Sequence, residues 1–272
     1  MLIVSVSQVT RQEAVDFVGY YKQMDISSTN LGDQYTCLIL NITMYSDYSI
    51  SNLNGEHTEN YTLNDVTQFV MHQIKSTYFP INLHSFLPNL KLIKVRSSLV
   101  YIEKKDFQDF TKLQYLILSD NSLEQIPSDA FSNLESVIMI NLRKNYLKYL
   151  NKDLFQNNIM LEKLILEGNR IQYLESDMFD HLKHLVSLDF TYNQCLTKNY
   201  SGSAIRELFK NDAENECSPS VRSYKTKIEI ISLKKIYQDR KYTIICFLIV
   251  MVVLIFIEHM YFVHKLKQRI NS

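Results

Sequence analysis

Four asparagines recur every 24 residues, at Asn121, Asn145, Asn169 and Asn193, and each is framed by the same order of apolar positions. Leu113, Leu116, Leu118 and Leu123 frame the first; Val137, Ile140, Leu142 and Leu147 the second; Leu161, Leu164, Leu166 and Ile171 the third. Around Asn193, Leu185, Leu188 and Phe190 hold, but Cys195 replaces the final aliphatic residue, which marks an end to the series. Two weaker copies stand upstream. One has Leu90, Ile93, Val95 and Val100 with Ser98 in the asparagine position; the other has Val66, Phe69 and Met71 with Ile74 there. A pattern with this period builds one small unit per repeat. No unit can bury its apolar side alone, so neighbouring units must stack into an array.

Within a repeat, the alternation at Leu116 and Leu118 reads as a short strand that turns these side chains inward while Tyr115, Ile117 and Ser119 face outward. The asparagine column is expected to be structural. A buried polar side chain needs partners, and a row of identical ones can bind main-chain groups between coils. On the return side, Phe107, Phe131, Phe155 and Phe179 share the same spacing, as do Ile102, Ile126, Leu150 and Leu174. They read as a stacked spine.

The joint recurrence of these apolar positions and the asparagine resembles the leucine-rich repeats of extracellular proteins. The resemblance implies an α/β fold: a right-handed leucine-rich-repeat solenoid with a parallel sheet on the concave side, an irregular or helical convex side, and one transmembrane helix beyond it. It is similar to Toll-type and other insect-style repeat ectodomains in the repeats and anchor only, since residues 264–272 are too few to hold a signalling domain.

Composition narrows the function classes. Lys plus Arg and Asp plus Glu both number 29, so the net charge is zero and no nucleic-acid footprint is visible. With 5 Gly and 4 Pro the chain has no glycine-rich phosphate cradle. The best metal candidate, His181 with His184, stands beside no Cys or carboxylate in ligand spacing and reads as a pair of surface histidines. No enzyme activity, cofactor or metal is expected.

The ends of the array need caps. Cys195 holds a core position of the last repeat, and Cys217 follows an amphipathic stretch starting near Ser203, with Ile205, Leu208 and Phe209 on one helical face. A bridge between the two cysteines would seal the end, as in the cysteine-containing flanks of extracellular repeat proteins, although the common version of that cap carries four. Upstream, Tyr35 to Met44 alternates well enough to be an edge strand, and residues 35–64 are expected to form the N-terminal cap, before repeats over 65–194 and a C-terminal cap over 195–217. Three alternatives stay open for Cys37: a buried thiol, a link between two chains, or a partner lost from an incomplete sequence. Residues 1–34 show no repeat and are left unassigned.

An apolar run fills 243–263, enough for a span of about 20 residues if Glu258 and His259 lie near the interface. The expected order is a juxtamembrane linker over 218–241, a transmembrane helix over 242–263 and a cytoplasmic tail over 264–272. Cys246 reads as packing within the span. Basic residues flank both sides, and no signal peptide is visible. The favoured topology is single-pass at the plasma membrane with the repeats outside, because Cys195 and Cys217 stand where a sealing disulfide belongs. A tail-anchored scaffold facing the cytosol, with reduced thiols, is the alternative. Glycosylation sequons stand at Asn41, Asn60 and Asn199, about as many as chance supplies.

Function is expected on the concave face, among His72, Lys94, Arg96, Tyr115, Ile117, Met139, Asn141, Arg143, Lys163, Ile165, Glu167, Ser187, Asp189 and Thr191. Tyr115, Ile117, Met139 and Ile165 would be apolar anchors, with mostly basic residues before them and acidic residues after. The expected partner is a protein ligand or co-receptor, with membrane lipid contacted through one span, no nucleic acid, and a possible dimer.

Overall fold

A computed structural model describes residues 14–18, 20–25, 33–40, 49–54, 61–72 and 76–217. The chain divides into two units, Met1–Ser218 and Pro219–Ser272, and the second lies outside the described residues. So do the expected span over 242–263 with Cys246, Glu258 and His259, the tail over 264–272, and the sequons at Asn41 and Asn60. Among the described residues, no helix is long and apolar enough to cross a membrane.

The backbone of one 24-residue period is a three- to five-residue strand and a return segment of turns. The strands are β5 (Gln68–His72), β6 (Leu92–Arg96), β7 (Tyr115–Ile117), β8 (Met139–Asn141), β9 (Lys163–Ile165) and β10 (Ser187–Asp189). Each pairs in parallel with the next. The register sets Phe69, Ile93, Leu116, Ile140, Leu164 and Leu188 opposite one another, all fully buried in the main core. Main-chain bonds also run from coil to coil at the strand entries: Gln114 to Lys91, Ile138 to Gln114, Glu162 to Ile138 and Val186 to Glu162, at 2.8–2.9 Å.

The asparagines close the other end of each strand. Asn145 takes the Leu123 N–H on Oδ1 at 3.1 Å, and its Nδ2 donates to the carbonyls of Leu118 at 2.9 Å and Leu142 at 3.0 Å. Asn169 repeats this with Leu147, Leu142 and Leu166, and Asn193 with Ile171, Leu166 and Phe190. Asn121 binds Ser97, Leu99, Val95 and Leu118. An amide has a donor and an acceptor end, and each asparagine uses both on main-chain groups.

Upstream the ladder changes residue. Ser98 does not substitute for the missing asparagine; its neighbour Ser97 does, accepting from the Ser76 N–H at 3.0 Å and donating to the Ser76 carbonyl at 3.2 Å. Ser97 stands 24 residues before Asn121 whereas β6 and β7 pair at a step of 23, so this coil is one residue shorter between its strand and its ladder position. Ile74 lies outside the described residues.

Phe79, Phe107, Phe131, Phe155 and Phe179 form the convex spine, with ring centroids 5.0–6.1 Å apart between neighbours. Ile102, Ile126, Leu150 and Leu174 are buried beside them. Among the described residues, the return segments after β5 and β6 contain the helical turns α1 (Leu83–Phe86) and α2 (Lys104–Phe107), and the later coils return through turns.

Both ends of the sheet reverse direction. β3 (Asp33–Leu40) joins β5 in parallel and β2 (Tyr20–Asp25) antiparallel, so it is an inner strand and not the expected edge. Tyr20–Asp25, within the segment left unassigned, therefore contributes to the sheet, and alternation alone did not separate a strand paired on one side from one paired on both. β1 (Ala14–Val18) and β4 (Ser49–Asn54) pair separately. Cys37, on β3, is a buried thiol in the main core, which places it away from any link between chains.

At the other end, β11 (Asn199–Ser201) runs antiparallel to β10 and α3 (Ile205–Asp212) closes the core. Cys195 and Cys217 form a disulfide, with Cα atoms 5.0 Å apart. Ile205 and Phe209 are buried, and Phe209 packs against Phe179 and Phe190. Leu208 is half-exposed, contrary to expectation, because the buried stripe runs through the i, i+4, i+8 positions Ile205, Phe209 and Ala213. Arg206 donates to the Leu182 and Lys183 carbonyls, fastening α3 to the last coil.

Candidate functional site

The strand register sorts the candidate residues into columns on the sheet face opposite the main core. Gln68, Leu92, Tyr115, Met139, Lys163 and Ser187 make one column; Val70, Lys94, Ile117, Asn141, Ile165 and Asp189 make the next. His72 pairs with Arg96 in a third. The sequence thus assembles these residues on one face because side chains alternate along each strand.

Exposure differs from expectation in the apolar part. Tyr115, Ile117 and Met139 are only 7%, 3% and 4% exposed, and with Val70 and Leu92 they form a second hydrophobic cluster, separate from the main core, with Leu38 packed against it. Strand neighbours on a parallel sheet lie about 4.8 Å apart, so large side chains in one column cover each other. Tyr115 sits between Leu92 and Met139 in the ladder. Ile165, the fourth expected anchor, is only partly buried and is not a member of this cluster.

The polar candidates divide by what they already bind. Asn141 Oδ1 accepts the Arg143 N–H at 3.0 Å, and Asp189 Oδ1 accepts from Thr191 N–H at 2.9 Å and its hydroxyl at 2.7 Å, so both close turns at their own strand ends. Arg143 Nε lies 2.8 Å from Glu167 Oε2 but out of line for a hydrogen bond, and Arg96 pairs with Asp120 at 3.6 Å. Lys94, half-buried, and Lys163, exposed, make no ion pair among the described residues. Burial, then the Arg96 and Lys94 charges, hold the His72 imidazole below its usual pKa.

Two buried polar groups were not singled out in the sequence. Thr36 donates to Gln68 Oε1 at 3.1 Å, and Gln68 Nε2 is a buried donor with no partner. Asn158 donates to the Phe131 and Leu134 carbonyls on the convex side. Asn158 occurs in one repeat only, so periodicity carries no signal for it. His181 Nε2 bonds the Phe155 carbonyl at 3.0 Å and His184 is exposed, which gives the pair a structural and a surface placement. Asn199 is exposed at the C-terminal edge of the sheet.

Stacked coils, a parallel ladder and the asparagine column together form a parallel-sheet solenoid, consistent with a leucine-rich-repeat fold. Residues 111–171 match the family model described as leucine rich repeat. No curated protein matches the chain. Among solved structures, a crystal structure of a TLR13–ssRNA13 complex aligns with a TM-score of 0.45 and 22% identity, covering 57% of this chain. The match spans 22% of that chain's length.

Proposed function

We propose that this protein is a single-pass membrane protein whose repeats lie outside the cell and recognise a protein partner on the concave face, as a receptor, co-receptor or adhesion module. The span over 242–263 anchors it, with residues 264–272 on the cytoplasmic side. The carrying observation is the second apolar cluster. Val70, Leu92, Tyr115, Ile117 and Met139 form a buried apolar layer on this face in addition to the core on the other side, and it underlies the accessible residues beside it. Lys94 and Lys163 border this cluster and Ile165 continues it as half-buried apolar surface, the arrangement of an apolar centre with a polar rim. The Cys195–Cys217 disulfide supports the outside placement, since such bonds persist in oxidising compartments.

The test is crosslinking on intact cells, comparing the wild type with a Lys163→Glu, Ile165→Asp variant on the concave face and an Ile159→Asp variant away from it. Loss of the crosslinked partner only in the concave variant is expected. Equal capture by all three rejects the concave site. A salt-sensitive complex with single-stranded RNA, which the concave variant loses, would put nucleic acid in the place of a protein. Alkylation of both Cys195 and Cys217 in the native, unreduced protein would instead favour the cytosolic scaffold.

A further inference from the structure

We propose that Asn199 carries an N-linked glycan that shields the open C-terminal edge of the sheet and bounds the concave face; the proposal rests on the outside placement of the repeats. Asn199, Tyr200 and Ser201 are the whole of β11, and they spell an acceptor sequon. Their side chains separate by face. Tyr200 is buried, packs edge-on against Phe209 and donates to Asp212 at 2.8 Å, which locks the strand from the core side. Asn199 and Ser201 pair with Asp189 and Ser187, are exposed, and therefore stand on the concave side.

Two features make this position unusual. β11 is last in the sheet order, so its outer edge pairs with no strand among the described residues, and such an edge invites another chain. Asn is also depleted from strands, yet it occupies an outward position of the strand that needs protection. A branched glycan on Asn199 supplies bulk and hydration at that edge. It also excludes a ligand from the β10–β11 end, leaving the stretch from β5 to β9, where the apolar cluster lies.

The modification forms a bond between Asn199 Nδ2 and the anomeric carbon of the sugar. It breaks that carbon's bond to the phosphate oxygen of a lipid-linked diphospho-oligosaccharide, and the amide proton leaves with the lipid diphosphate. The experiment uses the full-length protein expressed from its own gene in cultured eukaryotic cells, with mass spectrometry of the peptide that spans Asn199. Variants Asn199→Gln and Ser201→Ala remove the sequon from either end, and Ile159→Thr completes a control sequon at exposed Asn157. A glycan on the wild-type peptide, lost in both variants, is the expected result. An unmodified Asn199 with a glycan on the Asn157 control overturns the proposal and leaves the outside placement standing. An unmodified Asn199 and an unmodified control overturn the outside placement and the proposal with it.

Discussion

Asn145 and Asn169 donate to the same acceptor, the carbonyl oxygen of Leu142, at 3.0 and 2.9 Å. The Leu118 carbonyl is shared in the same way by Asn121 and Asn145, and the Leu166 carbonyl by Asn169 and Asn193. Each carbonyl uses both lone pairs, so the column is one connected network through the array.

That sharing makes an interior asparagine costlier to lose than the last one. Asn145→Ala leaves the Leu123 N–H without its acceptor, at roughly 1–3 kcal/mol for a buried group left unsatisfied, and takes one of two asparagine donors from the Leu118 and Leu142 carbonyls, which divides the network. Asn193→Ala loses the equivalent bonds, to the Ile171 N–H and the Leu166 and Phe190 carbonyls, but trims the ladder at its margin instead of dividing it. Denaturant unfolding of the two variants should show the larger loss of stability in Asn145→Ala; equal losses would mean that the bonds act locally.

Phe155 sits mid-spine, between Phe131 and Phe179 and fully buried. Phe155→Ala is expected to cost about 3–5 kcal/mol, through lost burial and a cavity that stacked coils cannot easily close. Phe155→Leu keeps most of the volume and should recover over half of that. Midpoints and slopes of urea unfolding measure both, and a similar loss for the two substitutions would assign the effect to ring contacts instead of volume.

Removing the Cys195–Cys217 bridge by a double substitution to Ser should lower stability by about 3 kcal/mol, as expected for a loop with a sequence separation of 22 residues. The loss should concentrate at the C-terminal cap. Hydrogen exchange is the direct check: amides of α3 and β11 should lose protection while those of β7 and β8 keep theirs.

His72 gives the fold a defined acid sensitivity. Its folded-state pKa lies below the ordinary value of 6.5, so the unfolded chain binds the proton more readily. The His72 contribution is therefore fully present above about pH 6.5 and is lost as the pH falls through that value toward the depressed folded-state pKa. Thermal unfolding followed from pH 7.5 to 5 should show a declining midpoint, with a shallower decline in His72→Gln. Parallel declines in both proteins would move the sensitivity to other groups.

What the sequence made legible follows from periodicity. Leu116, Ile140, Leu164 and Leu188, the phenylalanine spine and the asparagine ladder all recur in phase, and stacking is the one way to bury them together. The pattern could not reveal that Tyr115, Ile117 and Met139 are covered. Alternation assigns a face, whereas burial on that face depends on the size of the neighbours across the ladder, Leu92 among them. Nor did it find β2, which has no repeat partner, or the handover from asparagine to Ser97, which keeps the 24-residue step to Asn121 while β6 and β7 pair 23 residues apart, so that counting from the strand points to Ser98. In the candidate site, the residue identities and face were readable, but the commitments of Asn141 and Asp189 to their own turns were not.

The reversed strands β2 and β11 at the two ends of the ladder also limit how this array can change over evolutionary time. A duplicated coil added outside either one would lie next to a strand of opposite direction and interrupt the run of parallel coils. Growth is thus confined to insertion between β5 and β10, and a newcomer must bring its own asparagine and phenylalanine in phase. The repeat number behaves as an inherited length, adjustable in whole coils from within and closed to extension from outside.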